Sequence, residues 1–141
     1  MQGLRPIVEY TVFGVLLLLS VASVAIALER LRFYGQVDAR RYASRARLES
    51  DLTRRLNVIS TVASNSPYIG LLGTVLGIML TFQTLGATGE MDVKSIMTGL
   101  ALALKATAAG IVVAIPCVAL NNVLRRRVRE RLTDFDEAHG G

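Results

Sequence analysis

Ser66-Pro67-Tyr68-Ile69-Gly70-Leu71-Leu72-Gly73-Thr74-Val75-Leu76-Gly77-Ile78-Met79 is the stretch on which the fold turns. No charged residue interrupts the sequence from Pro67 to Leu85. Gly70, Thr74, Gly77, Thr81 and Thr84 recur at steps of four and three. On a helix they form one stripe of small and hydroxyl-bearing side chains, opposed by leucine, isoleucine and methionine. Roughly 20 apolar residues carry a helix, rising ~1.5 Å per residue, across the ~30 Å hydrocarbon layer of a bilayer. The stretch reads as a membrane-spanning helix with one face built for close contact.

Two flanking stretches share this character. Ile7–Leu28 carries only Glu9, near its start, and Ile96–Leu124 carries only Lys105. In lipid every backbone N–H and C=O must be satisfied by the protein, which leaves helices and closed barrels, and the period-two alternation of a barrel is absent. The sequence predicts an all-α membrane protein forming a single membrane domain over 1–141. Its transmembrane helices fall at about 7–28, 67–86 and 95–124, with a helical cytoplasmic loop at 29–66 and a tail at 125–141.

Sixteen Lys and Arg against eleven Asp and Glu give a formal charge of +5. Such a balance suits nucleic acid, but its distribution points to a membrane instead. Eight arginines (30, 32, 40, 41, 45, 47, 54 and 55) lie in 29–66, and five more (125, 126, 127, 129 and 131) in the tail. The short link between the second and third spans holds Glu90, Asp92 and Lys94. The positive-inside rule then places the N-terminus outside and the loop and tail in the cytoplasm, with these arginines solvated and setting topology. Ala25-Ile26-Ala27 resembles a signal-peptidase site, yet the apolar run is long and Arg30 and Arg32 follow at once, so the segment reads as an uncleaved anchor. Cys117 is the only cysteine, which precludes an internal disulfide, and its place within the third span suits packing.

Leu48, Leu52, Leu56, Ile59 and Val62 recur at helical spacing in the loop, and Val128, Leu132 and Phe135 do so in the tail. Two such stripes predict a helical bundle continuing below the membrane. Gly35 is the expected break after the first span. Ser66-Pro67 reads as an N-cap and first helical residue, against a rival reading of one longer helix through Pro67. Pro116 is the expected kink in the third span.

Gly99, Ala103, Thr107, Gly110 and Ala114 form a second small-residue stripe. With Gly70, Gly73 and Gly77 these glycines predict tight helix packing, since lipid supplies no hydrophobic drive between helices. Two readings stand for Thr74, Thr81, Thr84 and Thr107: hydroxyls bonded back to their own helix, or hydroxyls lining a pore. Lys105 lies about nine residues, or ~14 Å, into its span, where a lysine costs roughly 2.5–3.5 kcal/mol and calls for protein or water beside it. It is satisfied by backbone carbonyls and hydroxyls, or by an acid on another subunit. The sequence shows no metal-ligand cluster, no nucleophile with a base and no phosphate-binding loop, so no cofactor, metal or enzyme activity is expected. Proton relays in membranes use Asp, Glu or His, and no carboxylate lies at the midplane of these spans, so a proton role requires a partner.

At 66–79, at Gly99–Gly110 followed by Ala114-Ile115-Pro116 and Asn122, and at Glu29-Arg30, the chain resembles the ExbB/TolQ/MotA family of proton-channel motor scaffolds. Within that family it looks most like the short ExbB members of the TonB system. The resemblance implies a homopentamer in a Gram-negative inner membrane, its second and third spans lining a pore that holds single-span ExbD-like helices. The complex would drive a TonB-like protein that energises outer-membrane transport. It implies further that a membrane aspartate of the ExbD-like partner faces threonines matching Thr74 and Thr107. Longer relatives carry a glutamate where this chain has Leu102, with Lys105 one turn on, which makes Lys105 a candidate partner-facing substitute. A TolQ-like subunit for envelope integrity and a self-sufficient membrane channel are the alternatives.

Overall fold

A computed structural model of the chain describes residues 4–89 and 92–140. Glu90, counted above in the external link, lies outside the described residues. Four α-helices follow in order: α1 over Leu4–Gln36, α2 over Arg45–Leu52, α3 over Leu56–Thr88 and α4 over Val93–Ala138, with a 3-10 turn at Ala39–Arg41. The fold is all-helical, and α1, α3 and α4 are long and apolar enough to cross a membrane. Leu17, Leu18, Val21, Leu72, Leu104, Val112 and Ile115 are all exposed along these helices, as suits a protein solvated by lipid.

The helix containing Pro67 does not begin there. It starts at Leu56 and runs unbroken to Thr88, so Ser66 is no N-cap. The reason lies in packing across the bundle. Val62 and Ala63 are buried against Cys117 of α4, with Leu19 and Val113 beside them, and this contact holds the turn before the proline helical. Ser66 is fully buried and donates its hydroxyl to Val62 O at 2.7 Å. Helix α4 likewise continues through Pro116 to Ala138. Gly35 lies inside the last turn of α1, which ends one residue later.

The loop stripe is shared by two helices rather than one. Leu48 and Leu52 belong to α2, while Leu56, Ile59 and Val62 belong to α3. Between them Arg55 adopts the left-handed conformation at φ 67, turning the chain into α3. Ser44 caps α2 by accepting from Arg47 N at 3.2 Å. All five stripe residues are buried, as are Val128, Leu132 and Phe135 of α4. Most of these join Ala27, Tyr34 and Leu124 in one core at the arginine-rich end of the bundle.

Arg30 departs from the solvated role expected of the loop arginines. It is 3% exposed. Its guanidinium grips Glu29 through Nε to Oε2 at 2.6 Å, donates Nη1 to Asp51 O at 2.7 Å, and lies 4.6 Å over the Phe33 ring. Tyr34 donates to Leu52 O at 2.6 Å, and Arg131 Nε donates to Tyr34 O at 2.9 Å. Carbonyls at the end of α2, which lack helical partners, are thereby satisfied by α1. The neighbouring guanidinium holds the Glu29 carboxyl below the usual carboxylate range. Burial pushes the Tyr34 phenol up to about 12.

Candidate functional site

Helices α3 and α4 run antiparallel, and at the end of α3 Gly89, at φ 75, caps the helix and donates its N–H to Leu85 O at 2.9 Å. Glycine fits there because a side chain at positive φ is strained. The two small-residue stripes of α3 and α4 face each other. A Cβ added to Gly70 would stand 2.5 Å from Ala106 O, and one added to Gly110 would stand 2.5 Å from Ser66 O. At Gly73 and Gly77 it would meet the Ala106 and Ala103 methyls at 2.8 and 3.0 Å, and at Gly99 it would run into the Thr81 side chain. The two backbones are in direct contact, which only glycine and alanine permit.

This contact fixes a hydroxyl cluster. Thr74, buried in the seam, donates Oγ1 to Ala103 O across the helix pair at 2.9 Å, with Gly70 O of its own helix at 3.3 Å. The hydroxyls of Thr74 and Thr107 are hydrogen-bonded to each other. A threonine carries one hydroxyl proton and two acceptor lone pairs. With Thr74 donating to Ala103 O, Thr107 donates to Thr74, which leaves the lone pairs of the half-buried Thr107 Oγ1 for an incoming donor. Thr74 and Thr107 thus meet within one chain.

The remaining candidates do not join this cluster. Thr81 is buried over Gly99 and donates to Gly77 O of its own helix at 2.8 Å. Thr84 is half-buried one turn nearer the α3–α4 connection. Lys105 is exposed; standing two residues before Thr107, it projects ~200° around α4, away from the seam. Leu102 lines a cavity of about 30 Å³ between α1, α3 and α4 with Glu9, Gly73, Gly77 and Ala103. Among the described residues no group of three or more His, Cys, Asp or Glu is placed to hold a metal. The grip of Arg30 leaves one signal in the sequence, the adjacent Glu29-Arg30 pair.

A sequence profile of the MotA/TolQ/ExbB proton channel family matches residues 24–137. The biopolymer transport protein ExbB of Aquifex aeolicus (strain VF5) is 49% identical over 140 residues, covering 99% of this chain and 95% of that protein. A putative biopolymer transport protein ExbB-like 2 of Helicobacter pylori is 48% identical over 136 residues, covering 96% of this chain and 91% of its own. The Tol-Pal system protein TolQ of Haemophilus influenzae is 42% identical over 101 residues, which is 72% of this chain but 44% of that one. The matches to these two ExbB-type proteins extend over nearly the full length, whereas the TolQ match is partial. Three apolar helices, a seam of touching glycines and alanines, and these relatives together mean that the chain is a multi-pass membrane protein of the MotA/TolQ/ExbB proton channel family, and within it an ExbB-like scaffold.

Proposed function

We propose that several copies of this chain, five by resemblance, surround single-span ExbD-like helices and transmit proton flow as motion to a TonB-like protein. The assembly sits in a Gram-negative inner membrane with the arginine-rich end in the cytoplasm, as the positive-inside rule requires. The chain acts as scaffold and ion-path wall, and not as an enzyme. One observation carries the reading: a polar cluster of Thr74, Thr107 and Ala103 O between two apolar stretches, Pro67–Leu85 and Ile96–Leu124, that hold no carboxylate of their own. A protonated carboxyl of the partner donates its O–H to the free lone pairs of Thr107. Once ionised, the carboxylate accepts the Thr107 proton instead, the hydroxyl turning about its C–O bond. A threonine serves both states without itself titrating, so the partner helix exchanges its proton while remaining docked. One charge moved through ~100 mV supplies roughly 2.3 kcal/mol, so work on an outer-membrane receptor takes several protons.

Thr74→Val and Thr107→Val preserve shape and remove the hydroxyls. Each should leave assembly with the partner intact, by native mass, while lowering partner-dependent uptake at least about tenfold, the scale of one lost charge-assisted hydrogen bond. Full uptake by normally assembled double variants would refute this site.

A further inference from the structure

We propose that Lys105 of one copy forms an ion pair with Glu9 of the neighbouring copy, and that this membrane-embedded pair closes the ring; the inference rests on the homo-oligomer read above. These two are the isolated charges of the spans, since Pro67–Leu85 holds none and Ile96–Leu124 holds only Lys105. Packing puts them at nearly one depth. Glu9 lines the small cavity together with Gly77, Leu102 and Ala103. Val12, about one turn further along α1, lies against Gly73, which also faces Ala106, the residue next to Lys105. Glu9 and Lys105 therefore differ by about one turn, or ~5 Å, along the membrane normal.

Neither residue makes an ion pair among the described residues. Within one chain Leu102, a turn before Lys105, lines the Glu9 cavity, and Lys105 is not among the residues that line it. Ala103, Ala106 and Gly110 are buried on the face of α4 turned to α3, while Lys105 is exposed on the opposite face beside the exposed Ala101 and Ala108. Lipid offers a charge no partner, and intramembrane charges pair with one another or with water. A second copy inserted in the same orientation brings its Glu9 to the required depth with no shift along the normal. Small side chains around Lys105 admit a neighbour's helix closely. Because the two charges lie on different faces, the contact is heterologous. Each copy gives one lysine and one glutamate, and the contact repeats until the ring closes.

The test uses full-length chains with two different affinity tags, expressed together with the single-span partner. E9K alone and K105E alone should each lower oligomer recovery at least about tenfold against the unaltered chain, equivalent to about 1.4 kcal/mol summed over the ring. Co-expressed, they should copurify, because at each mixed contact a lysine faces a glutamate. A ring of five keeps one contact between like variants, so recovery should rise well above that of either variant alone without reaching that of the unaltered chain. Rescue by E9K/K105E in one chain without rescue on mixing would place the pair inside a chain and overturn the proposal. A ring that survives K105E but sheds the single-span partner would assign the acid to that partner, which also overturns it. Unchanged assembly of both single variants would remove the pair while leaving the oligomer standing. An unaltered chain that runs as a single copy would remove both. Should the charge variants fail to insert, E9C and K105C on differently tagged copies, in a C117S background, provide a milder measurement. A bis-methanethiosulfonate should bridge them into a mixed dimer, and assembled rings without that band would contradict the pair.

Discussion

The same two helices are joined in opposite ways at their two ends. In the seam, Gly70 and Gly110 bring backbone onto backbone while Gly73, Gly77 and Gly99 lie against the small side chains of Ala106, Ala103 and Thr81, and a cross-helix polar contact there runs through Thr74 and Thr107. At the arginine-rich end, Leu48, Leu52, Leu56, Leu124 and Phe135 fill a core of large side chains, pinned by Arg30 and Tyr34 to the carbonyls of Asp51 and Leu52. The difference follows from the medium. Leucine gains nothing by leaving lipid tails for a protein interior, so close approach and dispersion must hold the seam. In water the same leucine is driven inside by its hydrophobic surface.

Leu52→Ala should have the largest effect, because the side chain is fully buried and leaves a cavity. It should cost about 2–5 kcal/mol, read by unfolding in detergent, with faster amide exchange confined to α2, the start of α3 and the tail of α4. Exchange spreading equally into the seam would dissolve the distinction between the two ends. Gly110→Ala comes next. Its new Cβ meets a carbonyl that cannot rotate away, so about 1–3 kcal/mol is lost and exchange rises around Thr74 and Thr107. Gly99→Ala sharpens the point, since its nearest neighbours are side-chain atoms of Thr81 rather than backbone, and it should cost less. Equal effects at Gly99 and Gly110 would mean that backbone contact is not what the seam protects.

The smallest effect concerns pH. The Glu29 carboxyl is held below its ordinary range by the Arg30 bond. Its contribution is therefore fully present above the ordinary carboxylate range and disappears as pH falls through the lowered folded value. The carboxylate is 44% exposed, so screening keeps the gain well below about 1 kcal/mol. Glu29→Gln should be slightly less stable than the unaltered chain at neutral pH and equal to it in acid. A difference that grows in acid would reverse the assignment.

Periodicity made much of this legible in the sequence. Stripes at 48, 52, 56, 59 and 62 and at 128, 132 and 135 depend only on which residues a helix turns to one side, and all of them are buried. Continuity through Pro67 was open because it depends on Cys117, fifty residues away, packing on Val62 and Ala63. The corner at Arg55 was hidden because a left-handed residue there need not be glycine when the leucines on either side are both locked in a core. Thr74 and Thr107 were visible as candidates, but their meeting within one chain required the antiparallel register that the glycines set. Arg30 looked like its neighbours because composition does not say which arginine finds a free carbonyl.

Proton flux into liposomes tests most directly the claim that this chain provides hydroxyls and delegates the ionisable group. Liposomes holding a pH-sensitive dye would carry the chain alone, the chain with its single-span partner, or that pair bearing Thr107→Val. The account predicts tight vesicles for the chain alone, partner-dependent flux for the pair, and loss of that flux with valine at 107. Flux through the chain alone, undiminished by Thr107→Val, would contradict it.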